Sequence, residues 1–319
     1  MNATVVRFLN VLAAALVMVA AMPSQAAYPD KPVQYLVPFP AGGESDIAAR
    51  LQAQTFSQLF KQEMVVINRA GAGGALVWQQ LNSLPADGYT IAGINLPHIV
   101  LQPLEGTVSY KTEDMTPVYF FHYTPDALIV SADSPFKSID DLIKAAKEKP
   151  GSVTIAGSSL YSANHAAHEK FVREFGVKTT YVPFKGTGDL VSSVLGGHVS
   201  AAMSYTPLAI QQKGKMRMLA VATAKRVPQF PDVPTFGELG VKWIDGAYRG
   251  IALPKSAPES LRKEVSDMMD RINKDPEHRR KMIEGGFEVT DIGYDRMPAF
   301  LKERTQEYMN TAKSMGLVK

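Results

Sequence analysis

The sequence predicts an α/β protein of two lobes, with a ligand cleft between them and two strands crossing from one lobe to the other. From Val33 onward, a short apolar or β-branched run, a glycine-bearing turn and a segment of helical periodicity recur in that order. This repetition is typical of parallel β-α-β units. The chain has 319 residues, and two cores are expected because one domain usually takes about 150 residues. We assign residues 27–125 plus 248–319 to lobe 1 and residues 126–247 to lobe 2.

The elements of lobe 1 follow from alternating strand-like and helix-like segments. Ile47, Leu51 and Phe56 fall on one side of a helix that follows the strand VQYLV. The turn sequence PADG ends the second helical segment. In chain order we expect a strand at 33–37, a helix at 46–60, a strand at 64–68, a helix near 75–84 and a strand at 89–95.

Lobe 2 repeats the same alternation. Ser138 is placed to cap a helix that ends at Pro150 and Gly151, and Gly176 ends the next helix. We expect strands at 127–132, 152–157, 179–183, 198–204 and 216–222, and helices at 138–149, 162–175 and 189–197.

The chain then returns to lobe 1. The segment YRGIALP predicts a strand at 248–254 that crosses between the lobes. After this strand we expect only helices and turns, including helices at 260–273 and 295–315 that fold back on lobe 1.

The N-terminal segment predicts export to the periplasm. Arg7 precedes an uncharged run, and Ser24 and Ala26 suit cleavage after residue 26, so we interpret residues 1–26 as a cleaved signal peptide. The sequence contains no cysteine, which excludes disulfides and a cysteine nucleophile. The net charge is +3, with acidic and basic residues intermixed, so nucleic acid is not expected as a partner.

The segment PFPAGGESDIAAR, residues 38–50, predicts an anion-binding loop. Its adjacent glycines lie between a strand end and a helix start, where free backbone N–H groups and the positive end of the helix dipole point at one place. An ordinary turn with Ser45 or Asp46 as N-cap is the alternative. The loops at 157–164 and 184–189 have the same position in lobe 2. Oriented N–H groups of this kind bind a carboxylate without needing a cation.

The sequence lacks complete signature motifs of enzymes and of cofactor sites. The segment GAGGAL, which starts at Gly71, has Leu76 at the last position of a dinucleotide fingerprint, and neither a phosphate loop nor a nucleophile elbow is present. His165 and His168 are three residues apart on a helix, but no third metal ligand is evident. We therefore expect no catalytic residue, no metal and no cofactor.

Linked motifs along the whole mature chain resemble one family. In chain order they are YPDKPVQYLVPFPAGGESDIAAR, VINRAGAGG, LPADGYTI, YVPFKGTGDLVSSVLGGHVS and AKRVPQFPDVPTFGELG. They resemble the extracytoplasmic solute-binding receptors of the tripartite tricarboxylate transporter system, also called the Bug family. The resemblance implies a type II periplasmic-binding-protein fold whose lobes close on a small carboxylated solute, and delivery of that solute to membrane transporter subunits. We further expect a monomer.

The resemblance also implies which residues hold the solute. In that family the carboxylate is held chiefly by main-chain groups and bridging waters from loops of both lobes. Carried over to this chain, the first set is Phe39, Ala41, Gly42, Gly43, Ser45 and Asp46, and the second is Ser158, Ser159, Thr187 and Gly188. The same loops add Glu44, Tyr161, Phe184 and Asp189 to the candidate site. We interpret Asp46 as a helix cap rather than a group that contacts the solute.

Three residues depart from the family's pattern. Glu44 stands where the family commonly has a small or uncharged residue, so its carboxylate would either repel a dianion or meet an amine or hydroxyl. Leu160 and Tyr161 stand where glycines are common, and Tyr161 either stacks on a ring of the solute or points to solvent. A small organic carboxylate is the expected solute, with an aromatic or amino group as options.

Three functions remain open at this point. The first is a receptor without enzymatic activity that captures a carboxylate for transport. The second is a sensory receptor of the same fold that contacts a signalling partner. The third is a secreted α/β hydrolase that uses Ser159, His165 and either Asp189 or Glu44, and it requires a Ser to His hydrogen bond of about 2.6–3.2 Å.

Overall fold

The computed structural model describes residues 28–318, and the predicted signal peptide at 1–26 lies outside the described residues. Ten strands form one continuous system of hydrogen-bonded neighbours in the order β2-β1-β3-β9-β4-β7-β5-β6, with β8 and β10 also pairing with β4. Their bounds are β1 Val33–Val37, β2 Met64–Asn68, β3 Thr90–Leu96, β4 Pro117–Ser131, β5 Thr154–Gly157, β6 Thr180–Pro183, β7 Ala201–Tyr205, β8 Met216–Val221, β9 Gly246–Ala252 and β10 Glu288–Ile292.

Helices cover both faces of the strands. Their bounds are α1 Glu44–Phe60, α2 Ala75–Trp78, α3 His98–Glu105, α4 Ile139–Glu148, α5 Ala163–Phe175, α6 Thr187–Leu195, α7 Thr206–Gln211, α8 Glu259–Lys274, α9 Pro276–Glu284 and α10 Met297–Ser314. Short 3-10 turns occur at 72–74, 81–83, 112–114 and 294–296. In the described part of the chain, no helix has both the length and the apolar character needed to cross a membrane.

Lobe 1 is built on parallel strands β1, β2 and β3, which β9 extends in the antiparallel sense. Because side chains alternate between the faces of a strand, neighbouring residues enter different cores. Phe120 packs with α3 and α10 on one face, and Tyr119 packs with α1 and α8 on the other. The sheet is therefore covered on both faces, and its carboxyl edge is left for the loops.

Lobe 2 has the same plan. Strands β7, β5 and β6 are parallel, and the second half of β4 joins them as an antiparallel partner of β7 and β8. Leu128 and Val130 pack against α4 and α5, whereas Ile129 packs against α6 and α7. The lobe thus has its own two-faced core.

The two lobes are joined through their central strands. Residues 117–125 of β4 pair with β9 in lobe 1, and residues 126–131 pair with β7 and β8 in lobe 2. Strand β9 begins at Gly246 and runs between β3 and β4. The predicted two-lobe α/β fold is confirmed.

Three element predictions were wrong. A strand, β10, follows the predicted last strand and pairs with Phe120, His122 and Tyr123 of β4, so the C-terminal region is not made only of helices and turns. Strand β4 starts at Pro117 rather than at 127 and continues through Pro125. Helix α2 covers only four residues, because the chain tightens into a 3-10 turn before PADG.

Candidate functional site

The loop at 38–43 links β1 to α1 and presents an uncapped helix start. Gly43 is the N-cap residue of α1, and no side chain caps its N–H groups. Gly42 has a φ of +78°, a conformation that favours glycine. The carboxylate of Asp46 accepts a hydrogen bond from the Gly42 N–H at 2.9 Å and forms an ion pair with Arg50 at 2.9 Å. Asp46 therefore holds the loop in shape, and the alternative with Ser45 or Asp46 as N-cap is wrong.

The loop at 184–189 presents a second uncapped helix start, and it faces the first. Gly186 is the N-cap residue of α6, again without a side-chain cap. A Cβ added to Gly186 would lie 2.7 Å from Cδ of Pro40, and one added to Gly188 would lie 2.7 Å from the carbonyl oxygen of Ala41. These distances leave no room for a side chain, so the two lobes meet through glycines.

The third predicted loop, 157–164, differs from the other two. The Ser162 hydroxyl caps α5 by accepting the His165 N–H at 3.2 Å. The Ser158 hydroxyl and N–H both donate to the side chain of Asn164. This helix start is therefore already capped, and the expectation of three equivalent anion-binding loops is wrong for this one.

A small cavity of about 20 Å³ lies where the loops of the two lobes meet. Its lining residues are Phe39, Pro40, Gly43, Glu44, Ser45, Asn95, His98, Ser158, Thr187, Tyr205 and Arg249. Six of the fourteen predicted site residues are among them. A cavity of this size holds about one water molecule, so the structure corresponds to a closed arrangement of the lobes.

A larger cavity of about 590 Å³ lies beside Ser159. Tyr161, Phe184 and Leu160 line it from lobe 2, and Gly73 and Gln102 line it from lobe 1. Tyr161 has a φ of +56°, which is uncommon for a residue other than glycine. Tyr161 borders this cavity, so three more predicted residues, Ser159, Tyr161 and Phe184, lie at the boundary between the lobes.

The other five predicted residues line neither cavity. Ala41, Gly42 and Gly188 form the contact between the two loops through their backbones. The Asp46 carboxylate is used inside its own loop. Asp189 is exposed on the first turn of α6, because the helix turns this position away from lobe 1.

Arg249 is a site residue that the sequence reasoning missed. It lies on β9, is 4% exposed, and its guanidinium stacks over the ring of Tyr205 at 4.9 Å. Its Nε donates to the Ser45 hydroxyl at 3.1 Å, and its Nη1 donates to Thr124 Oγ1 and to the carbonyl oxygen of Ala247. These contacts fix a buried positive charge at the floor of the cleft, although the sequence suggested that no cation is needed there.

Glu44 faces this cation. Its side chain is 2% exposed, and its Oε2 accepts a hydrogen bond from the Thr187 hydroxyl and lies 3.7 Å from Nη2 of Arg249. Burial, together with the nearby Arg249, lowers the pKa of His98 to about 3, so this imidazole is neutral at physiological pH. The cavity therefore contains one positive and one negative side chain.

The arrangement required for a serine hydrolase is not formed. Nδ1 of His165 accepts the backbone N–H of Tyr161 at 3.1 Å, and its Nε2 faces Glu169 at 3.7 Å. The Ser159 hydroxyl has no hydrogen-bond partner within residues 28–318. In the same range, no group of three His, Cys, Asp or Glu side chains is placed to hold a metal.

Comparisons with known proteins agree with this architecture. The family described as "Tripartite tricarboxylate transporter family receptor" matches residues 48–317. Protein BugT of Bordetella pertussis is 34% identical over 249 residues, which is 76% of each chain. The solved structure of the periplasmic binding protein BugD has a TM-score of 0.84 and 28% identity, covering 91% of this chain and 99% of its own.

A further solved structure has the same degree of similarity. The R. palustris protein Rpa4515, solved with adipate, has a TM-score of 0.85 and 28% identity, and the match covers 91% of this chain and 98% of that one. BugD is described as a periplasmic binding protein, and the matching family is described as a receptor family. The resemblance found in the sequence motifs is thereby confirmed, and the chain belongs to the tripartite tricarboxylate transporter receptor family.

Proposed function

We propose that this protein captures a small organic carboxylate by closing its two lobes and delivers it to the membrane subunits of a tripartite tricarboxylate-type transporter. The observation that carries the proposal is the meeting of two uncapped helix starts, at Gly43 and Gly186, beside the buried Arg249. Helix starts bind anions through free N–H groups. The relative solved with adipate supports the same ligand class.

The solute's carboxylate is proposed to bind at the small cavity and the rest of the solute to extend toward the larger one. Main-chain groups near Gly43 and Thr187, together with Arg249, would hold the negative group. Tyr161 and Phe184 would pack against the remainder, which favours a solute with an apolar or aromatic part. Asp46 and Asp189 take no direct part in this proposal.

Closure is proposed to signal occupancy to the transporter. The lobes, with boundaries at 125/126 and 247/248, come closest where glycines of the two facing loops permit it, so a solute that bridges both lobes favours the closed form. We propose that the protein is exported to the periplasm and that its signal peptide is cleaved after residue 26. We further propose that it works there as a monomer and has no enzymatic activity. A sensory role for the same fold would use the same closure with a different partner.

A thermal-shift panel of organic carboxylates tests the proposal. A solute present at about 100 times its Kd adds about 2.7 kcal/mol to the stability of the folded state. We expect at least one carboxylate to raise the melting temperature, and its uncharged amide to have no such effect. If no carboxylate raises it, the receptor function is wrong. Loss of uptake in a deletion strain, with signalling intact, would favour transport over sensing.

A further inference from the structure

The carboxylate of Glu44 occupies the point where the two uncapped helix starts meet. Glu44 is the first residue of α1, and the Thr187 hydroxyl that donates to it belongs to the first residue of α6. Both helix dipoles therefore have their positive ends near this carboxylate. One anionic position of the cleft is thus filled by the protein itself.

Two charged groups at this point have unused hydrogen-bonding capacity. Its Oε1 is buried and has no hydrogen-bond partner in the described part of the chain. Within the same range, Nη2 of Arg249 makes only the 3.7 Å contact with Glu44, which is longer than a hydrogen bond. The cavity between them therefore offers one acceptor that carries negative charge and one donor that carries positive charge.

This pair of groups selects a ligand of matching chemistry. A buried carboxylate oxygen without a donor is costly, and a second carboxylate placed beside it adds like-charge repulsion. A ligand ammonium removes both costs, because it donates a hydrogen bond and neutralises the charge. A hydroxyl supplies the hydrogen bond but leaves the charge in place. The carboxylate of the same ligand can then pair with Arg249.

We propose that the cleft is built for a small amino carboxylate, with Glu44 accepting from the ligand's ammonium group and Arg249 donating to its carboxylate. The proposal rests on the proposed receptor function and narrows the class of solute from carboxylates to amino carboxylates. Glu44 and Arg249 are then the residues that make the protein bind zwitterions more tightly than dicarboxylates. The competing arrangement, in which a dicarboxylate expels the Glu44 side chain, predicts the opposite order of affinities.

The test compares ligands of matched carbon skeleton. Binding to the wild-type protein is measured by calorimetry for amino acids, for the same acids without the amine, and for dicarboxylates of four to six carbons, for example L-norleucine, hexanoate and adipate. We expect the tightest ligand to carry an amine and to bind at least about tenfold better than its deaminated counterpart.

Each outcome is decisive. A tightest ligand without an amine overturns the assignment of Glu44, while the receptor function stands. A panel in which no carboxylate of any kind binds overturns both. A tightest ligand with an amine supports the zwitterion site, and the variant experiment then tests the residue itself.

The variant Glu44→Gln assigns the effect to this side chain. We expect the affinity for the amino carboxylate to fall by about tenfold or more, and the affinity for the deaminated acid or the dicarboxylate to stay equal or rise. Equal losses for all ligands would contradict the role in selectivity. Glu63→Gln, at an exposed carboxylate outside the cleft, is the matched control and leaves the order of affinities unchanged. If Glu44→Gln does not fold, the wild-type series still decides the proposal.

Discussion

The hydroxyl of Thr187 donates a hydrogen bond to the carboxylate of Glu44, and the two residues are the first residues of helices in different lobes. This bond exists only while the lobes are together. Closure therefore brings a buried carboxylate its donor, and opening returns the same carboxylate to water. This contact therefore contributes to the balance between the open and closed forms.

Replacing Thr187 by valine is expected to shift the protein toward the open form. The substitution keeps the shape but removes the donor, which leaves a buried carboxylate oxygen unsatisfied at a cost of about 1–3 kcal/mol in the closed form. Without solute, small-angle X-ray scattering should give a larger radius of gyration for Thr187→Val than for the wild type. Thr305→Val, in α10 and outside the cleft, is the control, and scattering curves that coincide for all three proteins would contradict this role of Thr187.

Gly188→Ala is expected to weaken solute binding without loss of stability. Alanine favours a helix over glycine by about 1 kcal/mol, and its Cβ is harmless when the lobes are apart. In the closed form that Cβ would lie 2.7 Å from the carbonyl oxygen of Ala41 and 3.1 Å from the Gly43 nitrogen. Calorimetry should show at least about a tenfold loss of affinity with an equal or higher melting temperature.

The control for this substitution is Gly237→Ala, whose Cβ meets only Thr235 Oγ1 at an ordinary 3.5 Å. This variant should bind the solute as the wild type does. Retention of full affinity by Gly188→Ala would show that the two loops do not need to meet for binding.

Gly73→Ala separates backbone strain from steric exclusion. Gly73 has a φ of +62°, and its added Cβ would lie 2.1 Å from Oγ of Ser159 in the other lobe. Gly197 has a similar φ of +69° with open space around it. Both alanine variants should lose about 1–2 kcal/mol of folding stability from the left-handed conformation, but only Gly73→Ala should also weaken solute binding. Equal affinities would mean that Ser159 and Gly73 do not form part of the closed interface.

Buried histidines make stability fall in acid. Burial is the main cause that lowers the pKa of His98 to about 3, and that of His165 and His278 to about 4, from the ordinary 6.5, and it holds the pKa of His122 well below that value. Below pH 6.5 the unfolded chain therefore binds more protons than the folded one. Each such histidine contributes a slope of up to about 1.4 kcal/mol per pH unit between pH 6.5 and its folded pKa.

One carboxyl group acts in the opposite sense. Burial and the neighbouring Asp245 raise the pKa of Asp126 well above its ordinary value, so that its contribution to stability is lost as pH rises. Four histidines outweigh it, and the free energy of unfolding should decrease from pH 6.5 to pH 4.5. His278→Gln should flatten the slope and the exposed His198→Gln should not. A stability that is constant over this range would contradict the burial of these groups.

Local patterns were sufficient for most of lobe 2 and for the first loop. The motif between VQYLV and the first helix indicated a loop with free N–H groups, because two glycines precede the helical stripe. The helix was expected to begin at Asp46, whereas it begins at Glu44 with Gly43 as an uncapped N-cap residue. The same logic found the loop at 184–189 but placed the helix start at Asp189, whereas the helix begins at Thr187 with Gly186 as N-cap. It did not reveal that Ser162 caps its own helix, since a serine before a helix fits either a cap or a ligand group.

Long-range pairing explains what the sequence did not show. Arg249 is a single charged residue in an apolar strand, and only the position of β9 between β3 and β4 brings it to the cleft floor. A charge in a strand that is otherwise apolar is the signal that could have identified it, because buried charges are paired or functional. Strand β4 was shortened in the prediction because Pro125 normally ends a strand.

A crystal structure with the tightest-binding carboxylate tests the central claim most directly. We expect the carboxylate to lie between the loops at 38–43 and 184–189, within about 2.7–3.2 Å of backbone N–H groups of either helix start or of Arg249, with the lobes closed around it. A carboxylate bound outside this cleft, or held by only one lobe with the two helix starts apart, would contradict the account.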